Sequence, residues 1–588
     1  MRSVLQAMGL VSAAAVSVIA AASLGWATER TLLATTPEEM HAAVFAESDY
    51  PSASQCASCH QAIYDEWSSS SHAYASISPV FHKFEQRIND LSQGTIGYFC
   101  MRCHAGIGTT MGERRDLSIM ARAPVAREGI TCISCHRVSE RYGRVNGERR
   151  VETGTIYSPV YGTSGGEGVA QAIARKNQLR VKTSPSETGP ALPIHAAAIR
   201  FEQIDKSEFC VSCHQVAVHP GIKLEVVWEQ YRASPAAKRG ESCQDCHMGK
   251  TPGVVSGYAT GPAAIVNGNP INPTRKRTNH TFYGPGYPIA HPGIFPHNPA
   301  AQRWTAEQWL KFDYRAGWGT RAFEDRLTAA QRRTGFPDEW KEPEDRMDAR
   351  DVIEANLRKL NNKRELRRQV MENGSHIDGP FFGSDPRTGR NLSFRYRVSN
   401  TNPGHNMPSG SLGAQPELWL NVALIDPTGK RVWESGYVDS RGDMADEHSL
   451  DVRTGKVPYD KQLFNLQTKF LTTNVKGTDR EMYLPINMDI DQIPFIRPAG
   501  QPITVLNHPP FIRMEGRSIP PLGSRDASYT VPGNLITRPG TYKLAVRLRS
   551  RAEPIYFMTF IGATTEMNRA MNEWMIDLHP YTVEFVVR

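Results

Sequence analysis

The last two hundred residues alternate between apolar and polar positions in short runs that end at proline or glycine. Such alternation predicts half-buried strands, because successive side chains of a strand point to opposite faces. The clearest runs are 392–398, 417–425, 431–438, 541–548 and 581–588. Short strands separated by turns favour an antiparallel β-sandwich of roughly immunoglobulin type, which we assign to residues 386–588. The proline-rich stretch 488–532 is expected to form surface loops.

A helical pattern precedes these strands. Thr305 is expected to cap a helix, because a threonine hydroxyl accepts hydrogen bonds from the free backbone N–H groups at a helix start. From Met347 to Met371, leucine, arginine, glutamate and asparagine recur at helical spacing. We therefore expect residues 301–385 to form a helical connector whose charges make a solvated face.

The N-terminus has the pattern of an export signal. Arg2 precedes an apolar, alanine-rich run from Val4 to about Ala27, with small residues where cleavage would occur. Residues 1–27 are therefore predicted to be a signal peptide, and the mature protein is expected to be periplasmic or extracellular. The run is also long enough to cross a bilayer, so an uncleaved membrane anchor is the alternative interpretation.

Cysteine usage separates this chain from most globular proteins. All ten cysteines lie in five copies of Cys-x-x-Cys-His, and none is left over. This spacing is the attachment signature of c-type haem, in which both thiols bind the porphyrin and the adjacent histidine binds the iron. The cysteines expected to attach haem are Cys56, Cys59, Cys100, Cys103, Cys132, Cys135, Cys210, Cys213, Cys243 and Cys246. The histidines expected as proximal ligands are His60, His104, His136, His214 and His247.

Zinc knuckles are the competing interpretation, since paired cysteines also bind zinc. They do not explain why a histidine follows the second cysteine in every motif. We therefore predict five covalently bound haem c groups in a domain spanning residues 28–300. Roughly fifty residues per motif are too few for a conventional core, so the porphyrins must supply much of it. The predicted fold class is mixed: a mainly α and irregular multihaem cytochrome c domain, the helical connector and the C-terminal sandwich.

The formal charge of +8 does not indicate a nucleic-acid-binding protein. Each haem carries two propionates, so five haems add about ten negative charges and bring the loaded protein close to neutrality. Lysine and arginine are also spread along the chain rather than concentrated in one segment.

Low-spin electron-transfer haems need a second axial ligand, most often another histidine or a methionine. Of the 18 histidines, 13 lie outside the five motifs. We expect one continuous helix to leave the first motif at His60 and to carry a distal ligand, His72, to a neighbouring iron. The histidines favoured as distal ligands are His72, His195, His280 and His405, with His219 and His82 as the next candidates.

Several segments resemble the multihaem cytochrome c superfamily, which includes hydroxylamine oxidoreductase and its tetrahaem acceptor cytochrome. The similarity rests on the first motif with Tyr64, Trp67 and His72, on Glu128–His136 and Gly240–Met248, and on the segments around His280 and His405. It covers about residues 50–300 well and the last domain more loosely. The resemblance implies that residues placed like His72, His195, His280 and His405 serve as distal ligands. The chain lacks the eight haems of hydroxylamine oxidoreductases and the lysine-bearing motif of pentahaem nitrite reductases, which lowers the case for those reactions.

Two functions from different classes remain at this stage. In the first, the protein is an electron carrier with mostly bis-histidine haems and no site for substrate. Its partners would be other cytochromes or a membrane quinol dehydrogenase, and a homo-oligomer or filament is compatible with this function. In the second, one haem lacks a distal ligand and acts on a small nitrogen or sulfur compound. The surplus of plausible ligands favours electron transfer, so no catalytic residue is assigned.

Overall fold

The computed structural model describes residues 49–91, 94, 97–118, 121–140, 145–147, 149–218, 222–287, 289–294, 298–409, 416–471 and 513–588 of the 588-residue chain. The expected signal peptide and His219 lie outside these residues, as does most of the proline-rich stretch 488–532. Among the helices of the described residues, none has both the length and the apolar character that crossing a membrane requires.

Short helices and two-stranded ribbons make up the part of the chain that carries the motifs. Its helices are Ala53–Ser68, Pro79–Leu91, Met101–His104, Gly106–Thr110, Pro124–Arg127, Ile133–His136, Glu167–Ala174, Lys176–Leu179, Val211–His214, Val227–Arg232, Pro235–Lys238 and Cys243–His247. Its strand pairs are Val160–Gly162 with Ala198–Arg200, Val181–Lys182 with Leu192–Pro193, Val216–Val218 with Ile222–Glu225, Ala259–Gly261 with Arg275–Arg277, and Ala264–Val266 with Asn269–Ile271. The buried apolar side chains fall into several small clusters, as expected where a bound group completes the core.

The helix that begins at Ala53 is shorter than the sequence suggested. It ends at Ser68, and His60 has non-helical backbone angles within it (φ −115°, ψ 38°). The serine run 68–71 explains the early end, because serine side chains compete for backbone hydrogen bonds. His72 therefore lies in the turns beyond the helix, which corrects the prediction of one continuous helix from His60.

Four helices follow the motif-bearing part: Ala306–Leu310, Arg321–Glu324, Ala329–Thr334 and Pro343–Asn373. The predicted cap is confirmed, since the Thr305 hydroxyl accepts a hydrogen bond from the Gln308 backbone N–H and the Gln308 side chain accepts one from Thr305 N–H. A buried aromatic cluster that includes Trp309 and Trp340 fastens the short helices to the last one.

The long helix (Pro343–Asn373) carries charge on its buried side. Arg346, Lys363 and Arg367 are each at most 1% exposed, so the prediction of a solvated charged face was wrong at these positions. The Glu324 carboxylate pairs with the Arg346 guanidinium. Arg367 instead bonds to the Pro285 carbonyl of the motif-bearing part, so this side of the helix faces that part.

Two large antiparallel sheets form most of the C-terminal part, and Lys469–Leu471 pairs with Arg513–Glu515 in a two-stranded one. The first has the strand order Ser375–Phe382, Leu392–Asn400, Ser524–Val531, and the second has the order Arg431–Ser435, Glu417–Ile425, Gly540–Arg551, Ile576–Val587. Val398 and Tyr529 of the first sheet share one hydrophobic cluster with Leu420 and Leu544 of the second. The five predicted strands are therefore present, although the one that begins at Arg431 ends at Ser435.

The strand Glu417–Ile425 is buried on both faces, which its mostly apolar sequence produces without alternation. Its inner face joins the core between the sheets, and its first half is contacted by the chain at Gly436 and at Phe464–Leu466. Trp419 donates its indole N–H to the Gly436 carbonyl at 3.0 Å and forms a backbone bridge with Asn465. This cover explains why a strand next to the edge of the sheet has so few exposed positions.

Apolar contacts join the C-terminal part to the motif-bearing part. The helices Ile555–Phe560 and Thr565–Glu573 pack against Phe84 and Ile88 of the helix Pro79–Leu91. Cys100 of the second motif lies at the edge of the same cluster. The C-terminal part therefore contributes directly to the surroundings of a motif.

Candidate haem-binding site

Each motif places its three reactive side chains on one face of a helical turn. Positions i, i+3 and i+4 are neighbours on a helix surface, so the spacing Cys-x-x-Cys-His needs one turn to gather two thiols and an imidazole. The structure provides that turn in all five motifs, within the helices Ala53–Ser68, Met101–His104, Ile133–His136, Val211–His214 and Cys243–His247. In the fifth motif, a capping box between Ser242 and Asp245 fixes the start of the turn.

One connected cavity of about 1210 Å³ links the five motifs. All ten motif cysteines line it, together with His60, His72, His104, His136, His195, His214, His247, His280 and His405. A mostly apolar cavity with a few polar groups directed into it is the usual form of a cofactor site. The residues present therefore fit covalently attached haem, with thiols for attachment and imidazoles for the iron.

Four proximal histidines each face a second histidine. The ring centroids lie 6.5 Å apart for His60 and His195, 6.2 Å for His214 and His72, 6.4 Å for His136 and His280, and 6.1 Å for His247 and His405. A metal–imidazole bond is about 2 Å long, so imidazoles on opposite sides of one metal have centroids roughly 6 Å apart. The structure thus brings each favoured distal candidate to a different motif. We call these pairs the first, fourth, third and fifth sites, after the motif of the proximal member.

Backbone carbonyls orient most of these imidazoles through the Nδ1 atom. The distances from Nδ1 to the carbonyl oxygen are 2.9 Å for His60 and Ala263, 2.7 Å for His136 and Tyr161, 3.2 Å for His195 and Ala197, 3.0 Å for His280 and Thr278, 3.0 Å for His405 and Asn406, and 3.3 Å for His104 and Ala75, while His247 bonds to Tyr283. An Nδ1–H donated to a carbonyl leaves Nε2 as the free metal-binding nitrogen. At His405, Nε2 also lies 3.2 Å from the Asn402 side-chain amide, a contact that metal binding would replace.

Burial keeps the imidazoles in the neutral form that binds metals. It lowers the pKa of His60, His104, His195, His214 and His405 to about 4, and that of His72 and His280 to about 3. The same cause lowers the pKa of His136 and His247. Neighbouring cations and imidazoles add to the effect at most of these positions. The nine side chains are consequently ready to ligate at neutral pH without first losing a proton.

The second site, which we define by His104 of the second motif, differs from the other four. The Phe81 ring stacks on the His104 imidazole with centroids 4.0 Å apart and planes within 8°. A ring stacked on the face of an imidazole lies off the axis along which that imidazole binds metal, so Phe81 steadies His104 without facing it. In the described part of the chain, no histidine faces His104 at the spacing of the four pairs. His82 is an electrostatic neighbour of His104, but its Nε2 bonds to the Ser76 carbonyl, and His219 lies outside the described residues.

Thiols of different motifs lie side by side, which shows how the sites are ordered. Close pairs are formed by Cys56 of the first motif with Cys132 of the third, by Cys103 of the second with Cys213 of the fourth, and by Cys210 of the fourth with Cys243 of the fifth. The third and fourth motifs are joined by Arg149, which donates to the Ser134 carbonyl at 2.9 Å and to the Phe209 carbonyl at 2.7 Å. Each motif therefore lies beside at least one other, either through neighbouring thiols or through Arg149.

The buried carboxylate of Glu128 ties the first motif to the third. It accepts hydrogen bonds from the Ala53 N–H at 2.9 Å, from the Thr131 hydroxyl at 2.7 Å and from the Ser52 hydroxyl. Next to it, the Ile130 N–H donates to the carbonyl of His72 at 2.9 Å. The loop 128–131 therefore fixes both the start of the first helix and a distal candidate. No sequence pattern in this loop predicts its supporting role.

A second support holds His280. The Glu66 carboxylate accepts a hydrogen bond from the His280 backbone N–H at 3.0 Å and pairs with the Arg277 guanidinium at 2.6 Å. Because Glu66 belongs to the helix Ala53–Ser68, the first motif helix positions a candidate ligand of the third site. A charged glutamate two residues before the helix end gave no sequence signal of this role.

Residues 55–137 match the family model described as cytochrome c554 and c-prime. This stretch contains the first three motifs. The five motifs and this match support a multihaem c-type cytochrome. Such proteins carry covalently bound haem c and transfer electrons, and they are typically extracytoplasmic.

Solved structures show weaker similarity. The penta-haem cytochrome c552 from Thermochromatium tepidum is 14% identical, with 92% of this chain and 100% of that chain covered and a TM-score of 0.47. The Pseudomonas fluorescens alkylpurine DNA glycosylase AlkC, bound to DNA with an abasic-site analogue, is 11% identical, with 52% and 55% covered and a TM-score of 0.13. Neither TM-score establishes a shared fold. No curated protein matches the chain.

Proposed function

We propose that this protein is an extracytoplasmic pentahaem cytochrome that transfers electrons between redox partners through closely packed, mostly bis-histidine haems. The observation that carries the proposal is the set of four histidine pairs, each containing one motif histidine, with centroids 6.1–6.5 Å apart. An iron shared by both rings accounts for this spacing beside an attachment motif. The proposed distal ligands are accordingly His195, His280, His72 and His405.

The residues of each paired site are arranged to hold an iron in a fixed environment. Bound haem supplies an iron that takes up and releases one electron. The two imidazoles of each pair would both hold the iron, which would leave no coordination position for a substrate at these four sites. Backbone carbonyls hold most of the ring orientations, so a change of iron charge requires little rearrangement. These features favour electron transfer over catalysis.

The contacts between motifs support a branched order of sites. The first motif touches the third through Cys56 and Cys132, and the fourth touches the fifth through Cys210 and Cys243. Arg149 joins the third to the fourth. The proposed route therefore runs from the first site to the third, fourth and fifth, and the second site branches from the fourth.

We also propose where the protein acts and with which partners it exchanges electrons. The N-terminal segment 1–27 would direct export or anchor the protein, and the redox partners would be other cytochromes or a membrane quinol dehydrogenase. His405 lies between two strands of the C-terminal part and faces His247 of the same chain. That part, which we propose to be the immunoglobulin-like sandwich, would thereby complete the fifth site and offer a docking surface for a partner or a second copy.

Low-temperature EPR with near-infrared magnetic circular dichroism of the oxidised, fully loaded protein tests the proposal. We expect at least four low-spin irons with two nitrogen ligands, and His405→Ala should remove one of them. His291→Ala is the matched control, because the His291 imidazole bonds to the Phe312 carbonyl and does not line the cavity. Fewer than four bis-nitrogen irons in the parent protein would refute the carrier proposal.

A second function has one observation in its favour. Among the described residues, His104 has no histidine across from it, so the second site is the place for a haem with an open position. An enzyme acting on a small nitrogen or sulfur compound would need such a position. A high-spin signal that shifts on addition of cyanide, nitrite or hydroxylamine would favour this function. A fifth low-spin, bis-nitrogen signal would exclude it and point to His82 or His219 as the ligand.

A further inference from the structure

The buried side of the long helix presents two cations to the motif-bearing part. Lys363 and Arg367 lie one turn apart and are 1% and 0% exposed. Moving a charge out of water is costly unless an opposite charge or several hydrogen bonds compensate. Each of the two positions therefore needs an explanation.

Arg367 has hydrogen bonds but no opposite charge. Its guanidinium donates to the carbonyls of Pro285 and Trp574 and lies over the Tyr287 ring, 4.4 Å from the centroid. It also reaches the Ser550 hydroxyl at 3.4 Å. No described carboxylate pairs with it. Arg367 is thus fixed in place by neutral groups and its positive charge is left uncompensated.

Lys363 has neither kind of partner among the described residues. In contrast, Lys359, one turn earlier on the same helix, pairs with the Asp65 carboxylate at 3.0 Å and contacts the Ser68 hydroxyl. Burial and the neighbouring Arg367 lower the pKa of Lys363 to about 8. Two adjacent buried cations without an acidic partner form an environment that favours an anion.

The position of Lys363 shows which anion is available. On either side of Lys363 along the helix, Leu360 packs with Phe282 and Arg367 bonds to the Pro285 carbonyl, so the helix faces the segment 282–285 here. The Phe282 ring lies 4.3 Å from the His72 ring, and the Tyr283 carbonyl bonds to His247. His72 of the fourth site and His247 of the fifth site are also electrostatic neighbours of Lys363. If those imidazoles hold haems as proposed, the propionates of these haems are the anions closest to hand. A lysine ammonium is a compact donor that suits one carboxylate.

We propose that Lys363, supported by the charge of Arg367, binds a haem propionate between the fourth and fifth sites and thereby raises the reduction potential there. The inference rests on the proposed haem sites and goes beyond them, because it assigns a role to a residue outside every motif. A fixed cation near an iron disfavours the oxidised, more positive state. Lys363 is therefore a positioning and potential-setting residue that does not contact the iron.

The experiment compares variants of the fully loaded protein by spectroelectrochemical titration, with spin states recorded by EPR. Lys363→Met should lower the midpoint potential of one low-spin haem by at least 59 mV. For one electron, this corresponds to a tenfold change in the ratio of oxidised to reduced haem. Lys363→Arg keeps the charge and should keep the parent potential. Lys359→Met, the control on the exposed side, should also titrate like the parent.

Lys363→Gln keeps a hydrogen-bond donor without the charge, and it replaces Lys363→Met if that variant loads fewer haems. It should lower the midpoint potential by the same amount. Parent-like potentials in the neutral variants that load five haems would overturn the inference. An equal fall in Lys359→Met would overturn it too, because the effect would then not depend on the buried position. In either case the bis-nitrogen EPR signals would be unchanged, so failure here is distinguishable from failure of the proposed haem sites.

Discussion

The contact between Gly129 and His72 gives the sharpest test of how the loop 128–131 positions a ligand. Gly129 has φ +65°, and a Cβ added there would lie 2.3 Å from the His72 carbonyl oxygen. Real Cβ contacts are essentially never shorter than 3.0 Å, so Gly129→Ala must push these two backbone segments at least 0.7 Å apart (3.0 minus 2.3). His72 would move with its backbone, away from its position opposite His214.

The cost of this change follows from two contributions. Alanine in the left-handed region costs about 1–2 kcal/mol relative to glycine. The displaced carbonyl also loses the hydrogen bond from Ile130 N–H, 2.9 Å long, worth about 1 kcal/mol. We expect Gly129→Ala to lower the free energy of unfolding by roughly 2–3 kcal/mol.

Gly112→Ala is the matched control. Gly112 has φ +74°, but an added Cβ would meet no atom within 4 Å, so only the backbone cost of about 1–2 kcal/mol applies. The assays are urea unfolding and near-infrared magnetic circular dichroism of the loaded protein. Gly129→Ala should alter one bis-nitrogen signal, and Gly112→Ala should alter none. Identical spectra and equal losses of stability in the two variants would refute the steric reasoning.

Three further predictions concern other supports. Glu66→Gln removes the ion pair with Arg277, so it should lower the free energy of unfolding in urea by about 1–2 kcal/mol and perturb the third-site EPR signal. Asp65→Asn, the control, breaks an exposed pair with Lys359 and should lower it by less than about 0.5 kcal/mol. Gln230→Ala removes the oxygen that accepts from Asn406 N–H and the Ser409 hydroxyl, so it should broaden only the fifth-site signal; broadening of all signals would contradict this. Burial, followed by the charges of Glu417 and Asp439, raises the pKa of Asp443 to about 7, so the folded state holds a proton that the unfolded state releases near pH 4. The stability that depends on this proton is present below pH 4 and is lost as the pH rises to 7. Asp443→Asn, which cannot ionise, should therefore raise the melting temperature more at pH 8 than at pH 4. An equal rise at both pH values would contradict the assignment.

The sequence was sufficient for the local part of the site. Spacing alone predicts that Cys243, Cys246 and His247 share one helical turn, because positions i, i+3 and i+4 meet on a helix surface. It also predicts the strand Leu392–Val398, whose alternation matches the burial pattern in the structure. Both features depend on neighbours within a few residues, and such patterns are visible without knowledge of the tertiary fold.

The sequence was insufficient where long-range packing decides. His405 was favoured as a ligand, but only the fold brings it to His247, 158 positions earlier in the chain (405 minus 247). Lys363 was expected on a solvated face, because a helix of low hydropathy gives no sign that a cation points inward. An anion that the polypeptide does not encode would make this burial favourable, so sequence patterns built on side-chain polarity fail there.

The loop that carries His405 shows how the C-terminal part and the fifth site depend on one another. Its Pro403 carbonyl accepts a hydrogen bond from Ala236 N–H at 3.1 Å, and its Ser409 hydroxyl donates to Gln230 at 2.6 Å. Both partners lie just before the fifth motif, so this loop docks on the segment that presents Cys243 and His247. The fifth site can therefore be completed only after the two sheets have formed the ends of the loop. Electron transfer to or from this site would therefore require a folded C-terminal part. The function of a route that ends here depends on intact sheets.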